Sequence, residues 1–195
     1  MMAHSGEKAL TAENGQEAIY EAVRGYVVAA RKQIYVAVNG AMVDAYWHIG
    51  RQLNSVVGEN GRATYGKRLL KYLAAKLTAE FGRGFDESNL RNMLRFYRAF
   101  PIQDALRPEL IWTHYRLLMK VPDERAREFY AQEAVKASWS TRQLERQINT
   151  LYYHRILASR DKEGVAAEIQ LKEPRPEYES IIKDVTVQPV PKNGK

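Results

Sequence analysis

A run of cationic, amide and hydroxyl side chains lies between residues 88 and 95. Ser88, Asn89, Arg91, Asn92 and Arg95 cluster on or beside one face if this stretch is helical, since residues three and four apart are helix neighbours. Arginine suits two-point hydrogen bonding to guanine edges in the major groove, and asparagine suits adenine edges. The five side chains are therefore predicted to contact DNA bases.

A second set of cations flanks this run and is predicted to hold phosphates. Its members are Lys67, Arg68, Lys71, Arg98, Arg142 and Arg146. Contacts to phosphates position a protein on DNA without reading its sequence, and they make the affinity depend on salt. The alternative for the arginines is a helix face that is merely solvated.

The positive charge of the chain is concentrated around these residues. The 195-residue sequence carries a formal net charge of +7, and residues 62–98 contribute +6 of it. That segment holds three acids (Glu80, Asp86 and Glu87) and nine bases (Arg62, Lys67, Arg68, Lys71, Lys76, Arg83, Arg91, Arg95 and Arg98). A localised positive patch is the footprint expected of a protein that binds a polyanion, and DNA is the expected partner.

Two helices joined by a glycine turn are predicted to present these side chains. One face of the first helix is predicted from apolar residues at every fourth position: Tyr65, Leu69, Leu73, Leu77 and Phe81. Gly82 and Gly84 then break the period, and Asp86 is placed to cap the next helix. The apolar face of that helix comprises Leu90, Met93, Leu94, Tyr97 and Phe100, and Pro101 ends the run. The arrangement over residues 65–100 looks like a helix-turn-helix.

A long helix is predicted ahead of this pair, from about Gln16 to Val57. Its apolar seam follows spacings of three and four: Ile19, Val23, Tyr26, Ala30, Ile34, Ala37, Ala41, Ala45, Ile49, Leu53 and Val56. Such a seam predicts either an amphipathic helix lying across the other helices or a coiled coil that pairs the chain with a partner. Asn39 and Gly40 mark a plausible kink.

A second helical pair is predicted over residues 112–158. A short helix capped by Thr113 precedes a longer one that begins near Asp123. Ser140 and Gln143 then form a capping box, which starts a helix that carries Arg142 and Arg146 outward.

These patterns together predict an all-α protein, in which a long N-terminal helix packs on a multi-helix domain that contains the helix-turn-helix. Residues 1–14 are predicted to be a flexible tail, residues 15–158 a helical domain, and residues 159–195 a linker or disordered tail with four prolines.

Several functional classes are not expected from this sequence. It has no cysteine, no apolar run as long as a membrane span and no secretory signal, so a cytoplasmic protein without membrane contact is expected. His48, His114 and His154 have no metal-binding spacing and are expected at the surface or half-buried. Neither the Gly82-Arg83-Gly84 turn nor Pro122-Asp123 fits a phosphate loop or a nuclease centre, so no catalytic residue, cofactor or metal is predicted.

The sequence resembles the N-terminal domain of the YhcG family of bacterial proteins. The matching stretches are VNGAMVDAYWHIGR (38–51), YGKRLL (65–70), LTAEFGRGF (77–85), NLRNMLRFY (89–97), WTHYRLL (112–118), REFY (127–130) and WSTRQLERQI (139–148). A weaker, pattern-level similarity runs to ParB-type DNA-binding domains, which show the same order of helices.

The resemblance implies that a PD-(D/E)xK nuclease-like domain follows in relatives. Here Ile182-Lys183-Asp184 matches the joining segment and Val185 stands where proline is usual, but the sequence stops eleven residues after Asp184. We therefore expect a DNA-binding module without nuclease activity, which acts as a homodimer or beside a separate nuclease subunit. The alternative is an interaction or dimerisation domain that does not contact nucleic acid.

Overall fold

The computed structural model is all-α, as predicted, with no strand among the residues that it describes. It describes the backbone of residues 4–57 and 63–159, with positions 161, 164 and 167 beyond them, and side-chain environments from residue 15 in the first range and residue 65 in the second. The helices are α1 (His4–Val57), α2 (Ala63–Phe81), α3 (Glu87–Ala99), α4 (Trp112–Leu118), α5 (Glu124–Lys136), α6 (Thr141–Asn149) and α7 (Tyr152–Ala158), with a 3-10 turn at Gln103–Ala105.

The chain divides into two compact units. Among the described residues, 4–37 belong to the first unit and those from 38 onward belong to the second. In the first unit, the described residues belong to α1, which begins at His4 instead of near Gln16. In the second unit, the predicted kink at Asn39-Gly40 does not interrupt this helix. The predicted connection at 58–61 and most of the predicted tail at 159–195 lie outside the described residues.

In the second unit, α1 and α3 cross in near backbone contact. A β-carbon built on Gly50 would lie 2.1 Å from the Met93 carbonyl oxygen, so only glycine fits at this crossing. One turn further along α1, Asn54 Oδ1 accepts a hydrogen bond of 2.8 Å from Arg98 Nε. The surrounding core cluster contains Leu53, Leu70, Leu90, Met93 and Leu94.

The larger core cluster of the second unit holds α4 to α7 against α1 and α3. Its most completely buried members are Phe96, Leu110, Tyr115, Leu118 and Leu144. The Trp47 indole of α1 lies in the same cluster and donates a 2.7 Å hydrogen bond to the Phe100 carbonyl, which satisfies the end of α3. The basic outer face of α3 is thus backed by two apolar clusters.

The predicted apolar stripe of α2 is only partly right. Leu69, Leu73 and Leu77 are half-buried, but Tyr65 and Phe81, which close the stripe at either end, are 45% and 61% exposed. Leu70 is the most buried large side chain of α2 and packs against Leu90 in the same cluster. The stripe is therefore rotated by about one residue, because a helix turn of 3.6 residues drifts away from a strict four-residue repeat.

The seam predicted along α1 also needs correction within the second unit. Leu53 is buried and Ile49 half-buried, but Ala41 and Ala45 are exposed. Besides Leu53, the large side chains that α1 buries there are Val43 and Trp47, which the predicted seam did not include. Large apolar side chains bury more surface than alanine, so they set the orientation of the helix.

Along residues 4–57 and 63–159, no helix combines the length and the hydropathy that a bilayer crossing requires.

Candidate nucleic-acid interface

The turn between α2 and α3 sets where the basic helix begins. Gly82 and Gly84 have φ angles of 81° and 112°, which side-chain-bearing residues rarely adopt. Asp86 is the N-cap of α3, as predicted, and its Oδ1 accepts a 3.0 Å hydrogen bond from the Asn89 backbone N–H. The negative carboxylate also lies at the positive end of the helix dipole.

The Asn89 side chain fastens this turn to α4. Its Nδ2 donates to the Gly84 carbonyl at 2.6 Å, and its Oδ1 accepts from Trp112 Nε1 at 3.0 Å. Both ends of the amide are therefore engaged inside the protein. The base contact that the sequence predicts for Asn89 stays a prediction, and in the structure its amide is bonded to Gly84 and Trp112.

The outward face of α3 carries the predicted cations. Ser88, Arg91, Arg95 and Arg98 are exposed, and Asn92 is half-buried at the edge of the same face. The three arginines follow spacings of four and three, so they form one strip along the helix. The opposite side buries Leu90, Met93, Leu94 and Phe96. The predicted apolar face did not include Phe96. Its position three residues after Met93, which itself follows Leu90 by three, could have placed it on that face.

The three arginines of the strip differ in their side-chain partners. Arg91 pairs with Glu87 one turn earlier at 3.0 Å, and Arg98 is bound to Asn54. Arg95 has neither a side-chain hydrogen bond nor an ion pair with any residue that the structure describes. Exposed pairs such as Arg91 with Glu87 contribute little stability and are readily exchanged for another anion.

The other predicted phosphate contacts lie on α2 and α6. Lys67, Arg68 and Lys71 are exposed on α2, and Arg142 and Arg146 are exposed one turn apart on α6. The predicted capping box at the start of α6 is confirmed: Ser140 Oγ accepts from the Gln143 N–H at 3.3 Å, and Gln143 Oε1 accepts from the Ser140 N–H at 2.7 Å.

Helix α4 links the starts of both basic helices. Trp112 reaches Asn89 near the start of α3, and His114 Nε2 lies 3.0 Å from the Trp139 carbonyl in the turn before α6. That turn contains Ser138, whose φ of 51° is left-handed. A seven-residue helix thus fixes two segments that are about 50 residues apart in the chain.

His114 is buried, unlike the surface or half-buried position expected for it. Its Nδ1 faces the Ile111 backbone N–H at 3.3 Å and must accept, so Nε2 carries the proton and donates to Trp139. Burial lowers the pKa of His114, and the hydrogen bond to the Trp139 carbonyl opposes that shift. The imidazole is neutral and structural. The predicted cap Thr113 makes no capping bond, because the N-cap of α4 is Ile111.

No three His, Asp or Glu side chains among the described residues stand close enough together to hold a metal ion. The candidate site therefore consists of exposed cations on α2 and α3, which pack against each other, and of two further exposed cations on α6.

Residues 22–155 match the family model described as the DUF1016 N-terminal domain, and the chain belongs to that family. Among curated proteins it is similar to "Putative nuclease YhcG" of Escherichia coli strain K12, with 33% identity over 184 aligned residues. The match covers 77% of this chain and 49% of that protein, so the chain spans about half the length of the curated relative. No solved structure matches the chain.

Proposed function

We propose that this chain is a DNA-binding module of a nuclease-family protein, and that it reads duplex DNA with α3. The observation that carries the proposal is the outward face of α3. There a strip of arginines is exposed on a helix whose other side is buried in two core clusters. A rigid helix with a cationic outer face has the dimensions and the charge that fit the major groove.

The proposed roles follow from exposure and side-chain type. Ser88, Arg91, Asn92 and Arg95 would contact base edges, and Asn89 would hold the start of α3 in place through Gly84 and Trp112. The proposed phosphate contacts are Lys67, Arg68, Lys71, Arg98, Arg142 and Arg146. This division resembles helix-turn-helix proteins, in which phosphate contacts from several elements orient one recognition helix.

The similarity to a protein named as a nuclease supports a role close to DNA cleavage. We assign no catalytic residue to this chain, because the matched portion is about half of that relative. An accessory role is therefore proposed: the module brings DNA to a nuclease centre, which a separate subunit could supply, in the cytoplasm where DNA is accessible.

The test replaces both arginines of the reading face. Arg91→Ala with Arg95→Ala should weaken binding to a duplex oligonucleotide at least about 30-fold at fixed salt, since each two-point base contact contributes roughly 1–3 kcal/mol. The thermal midpoint should stay within about 2 °C, because both side chains are exposed.

The matched control removes the same charge from α4 and the turn that follows it. Arg116→Ala with Lys120→Ala changes two exposed cations that are outside the proposed interface. This control should bind within about threefold of wild type. An equal loss of affinity in both double variants would mean that binding depends only on the net charge of the chain. That result would contradict the proposal that α3 contacts the bases.

A further inference from the structure

One face of α1 in the first unit carries an uncovered heptad stripe. The stripe consists of Tyr20, Val23, Val27, Ala30, Ile34 and Ala37, whose spacings alternate between three and four without exception. All six side chains are exposed, and the large ones are between 47% and 58% accessible. A strict average period of 3.5 residues is the pattern of a helix that supercoils with another helix.

Most residues of this part of α1 are exposed, and only Arg24, Val28, Tyr35 and Val36 are half-buried between residues 15 and 37. Burial raises the pKa of the Tyr35 hydroxyl. Apolar side chains on another side of α1 are therefore shielded from water. The heptad stripe, with Ile19 and Tyr26 beside it, is the apolar face that stays open among the described residues of this unit.

The open face is large enough to hold a stable partner. Scaled by their exposed fractions, Ile19, Tyr20, Val23, Tyr26, Val27 and Ile34 present on the order of 600 Å². Specific interfaces bury at least about 1,200 Å² in total, or about 600 Å² per partner, so the face reaches the lower limit for a dimer. It also equals the largest apolar patches found on typical monomers, which are about 300–600 Å². Left in water, the stripe would be a liability for solubility.

We propose that a second copy of this chain covers the heptad stripe as a parallel two-stranded coiled coil. A second copy offers a stripe of the same length and period. A two-fold axis pairs the same face of both copies, so the side chains of each stripe can pack between those of the other. The β-branched Val27 and Ile34 occupy the first position of their heptads, a choice that favours two parallel strands. The fourth positions hold Val23, Ala30 and Ala37 where leucine is usual, and the small alanines allow a close approach of the two helices.

Charge selects the parallel orientation. Arg24 and Arg31 occupy the fifth position of successive heptads and flank the stripe. In a parallel pair these positions face the seventh positions of the other copy, which are the uncharged Ile19 and Tyr26, and Tyr26 offers a ring to the Arg31 cation. In an antiparallel pair the fifth positions face one another, so Arg31 would meet Arg24, whose charge is partly offset by Glu21 at 3.3 Å. The pairing does not depend on the proposed DNA binding.

The absence of native cysteine allows a sharp test with single cysteines in the full chain. Light scattering on the wild-type chain at about 50 µM should give twice the 22.4 kDa chain mass. Under mild oxidation, Ala30→Cys should cross-link most of the protein, because the two copies of residue 30 meet on the axis of a parallel pair. The control Ala29→Cys is exposed but off the stripe, and it should cross-link at least about tenfold less.

A disrupting variant completes the test. Val27→Asp with Ile34→Asp should give the mass of a single chain while far-ultraviolet circular dichroism keeps the wild-type helix signal, because both side chains are exposed in the isolated chain. A wild-type chain that is monomeric at 50 µM would overturn the proposal. A dimer that Ala30→Cys does not cross-link, or one that survives both aspartates, would also overturn it.

Discussion

Two polar side chains near α4, the Asn89 amide and the His114 imidazole, position the basic helices without facing the solvent. Asn89 bonds Gly84 and Trp112, and His114 bonds Ile111 and Trp139. Each side chain satisfies backbone or indole groups that would otherwise be left unpaired when partly buried. Their effect on the proposed DNA binding would therefore be indirect, because they fix where α3 and α6 begin.

Replacing Asn89 should lower the stability of the protein more than replacing Asn92, although both are asparagines of α3. Asn89→Ala should lower the free energy of unfolding by about 1–2 kcal/mol, since it leaves the Gly84 carbonyl and the Trp112 N–H without a partner. Asn92→Ala should change it by less than about 0.5 kcal/mol. Urea unfolding of the two variants measures the difference. Equal stability of the two variants would contradict the claim that Asn89 positions the start of α3.

His114 should make the stability depend on pH. Its folded pKa lies below the ordinary value of 6.5 because it is buried, so the unfolded chain takes up the proton first as the pH falls. Its contribution is therefore complete above pH 6.5 and declines as the pH drops below it, by at most about 1.4 kcal/mol per pH unit.

The measurement is the urea midpoint at pH 5.5 and pH 7.5. His114→Asn should be less stable than wild type at pH 7.5, and the gap should narrow at pH 5.5. His154→Asn, at an exposed position, should retain the wild-type difference between the two pH values. A constant gap between His114→Asn and wild type would contradict this account of the imidazole.

At the scale of the elements, the crossing of α1 and α3 is the contact that is least tolerant of change. Gly50→Ala would bring a methyl group against the Met93 carbonyl, which cannot move without disturbing α3. We expect a loss of at least about 2 kcal/mol in the free energy of unfolding. Gly40→Ala is the control: its β-carbon would lie 3.7 Å from Pro108, an ordinary contact. That variant should be neutral or more stable by up to about 1 kcal/mol. Similar losses at both glycines would contradict the close crossing.

The sequence predicted those elements best whose two faces differ most in polarity. Helix α3 alternates arginines with large apolar residues, so its faces and its Asp86 cap were predictable. Helix α1 is rich in alanine and apolar on several sides, and periodicity could not single out Val43 and Trp47 as the buried residues. The roles of Asn89, Trp112 and His114 depend on hydrogen bonds between distant segments, which no local pattern encodes. Nothing in the sequence around His114 distinguishes it from an exposed histidine on a short helix, so its burial could not be predicted.

At the scale of the whole molecule, the excess of positive charge is concentrated on few elements. Residues 62–98 carry +6 of the net charge of +7, and the cations of α3 lie on one exposed face. A chain with this distribution should bind duplex DNA through released counterions, at a strength set by how many phosphates it neutralises. Pairing along the heptad stripe of α1 would place two such faces in one assembly.

A salt titration of binding to random-sequence duplex DNA tests the central claim most directly. If the six proposed cations contact phosphates, the logarithm of the binding constant should fall with the logarithm of the salt concentration at a slope of about −5 per chain. Replacing Lys71 with Ala should reduce the steepness by about one. A flat response, or no binding at low salt, would contradict the proposal that this domain binds DNA.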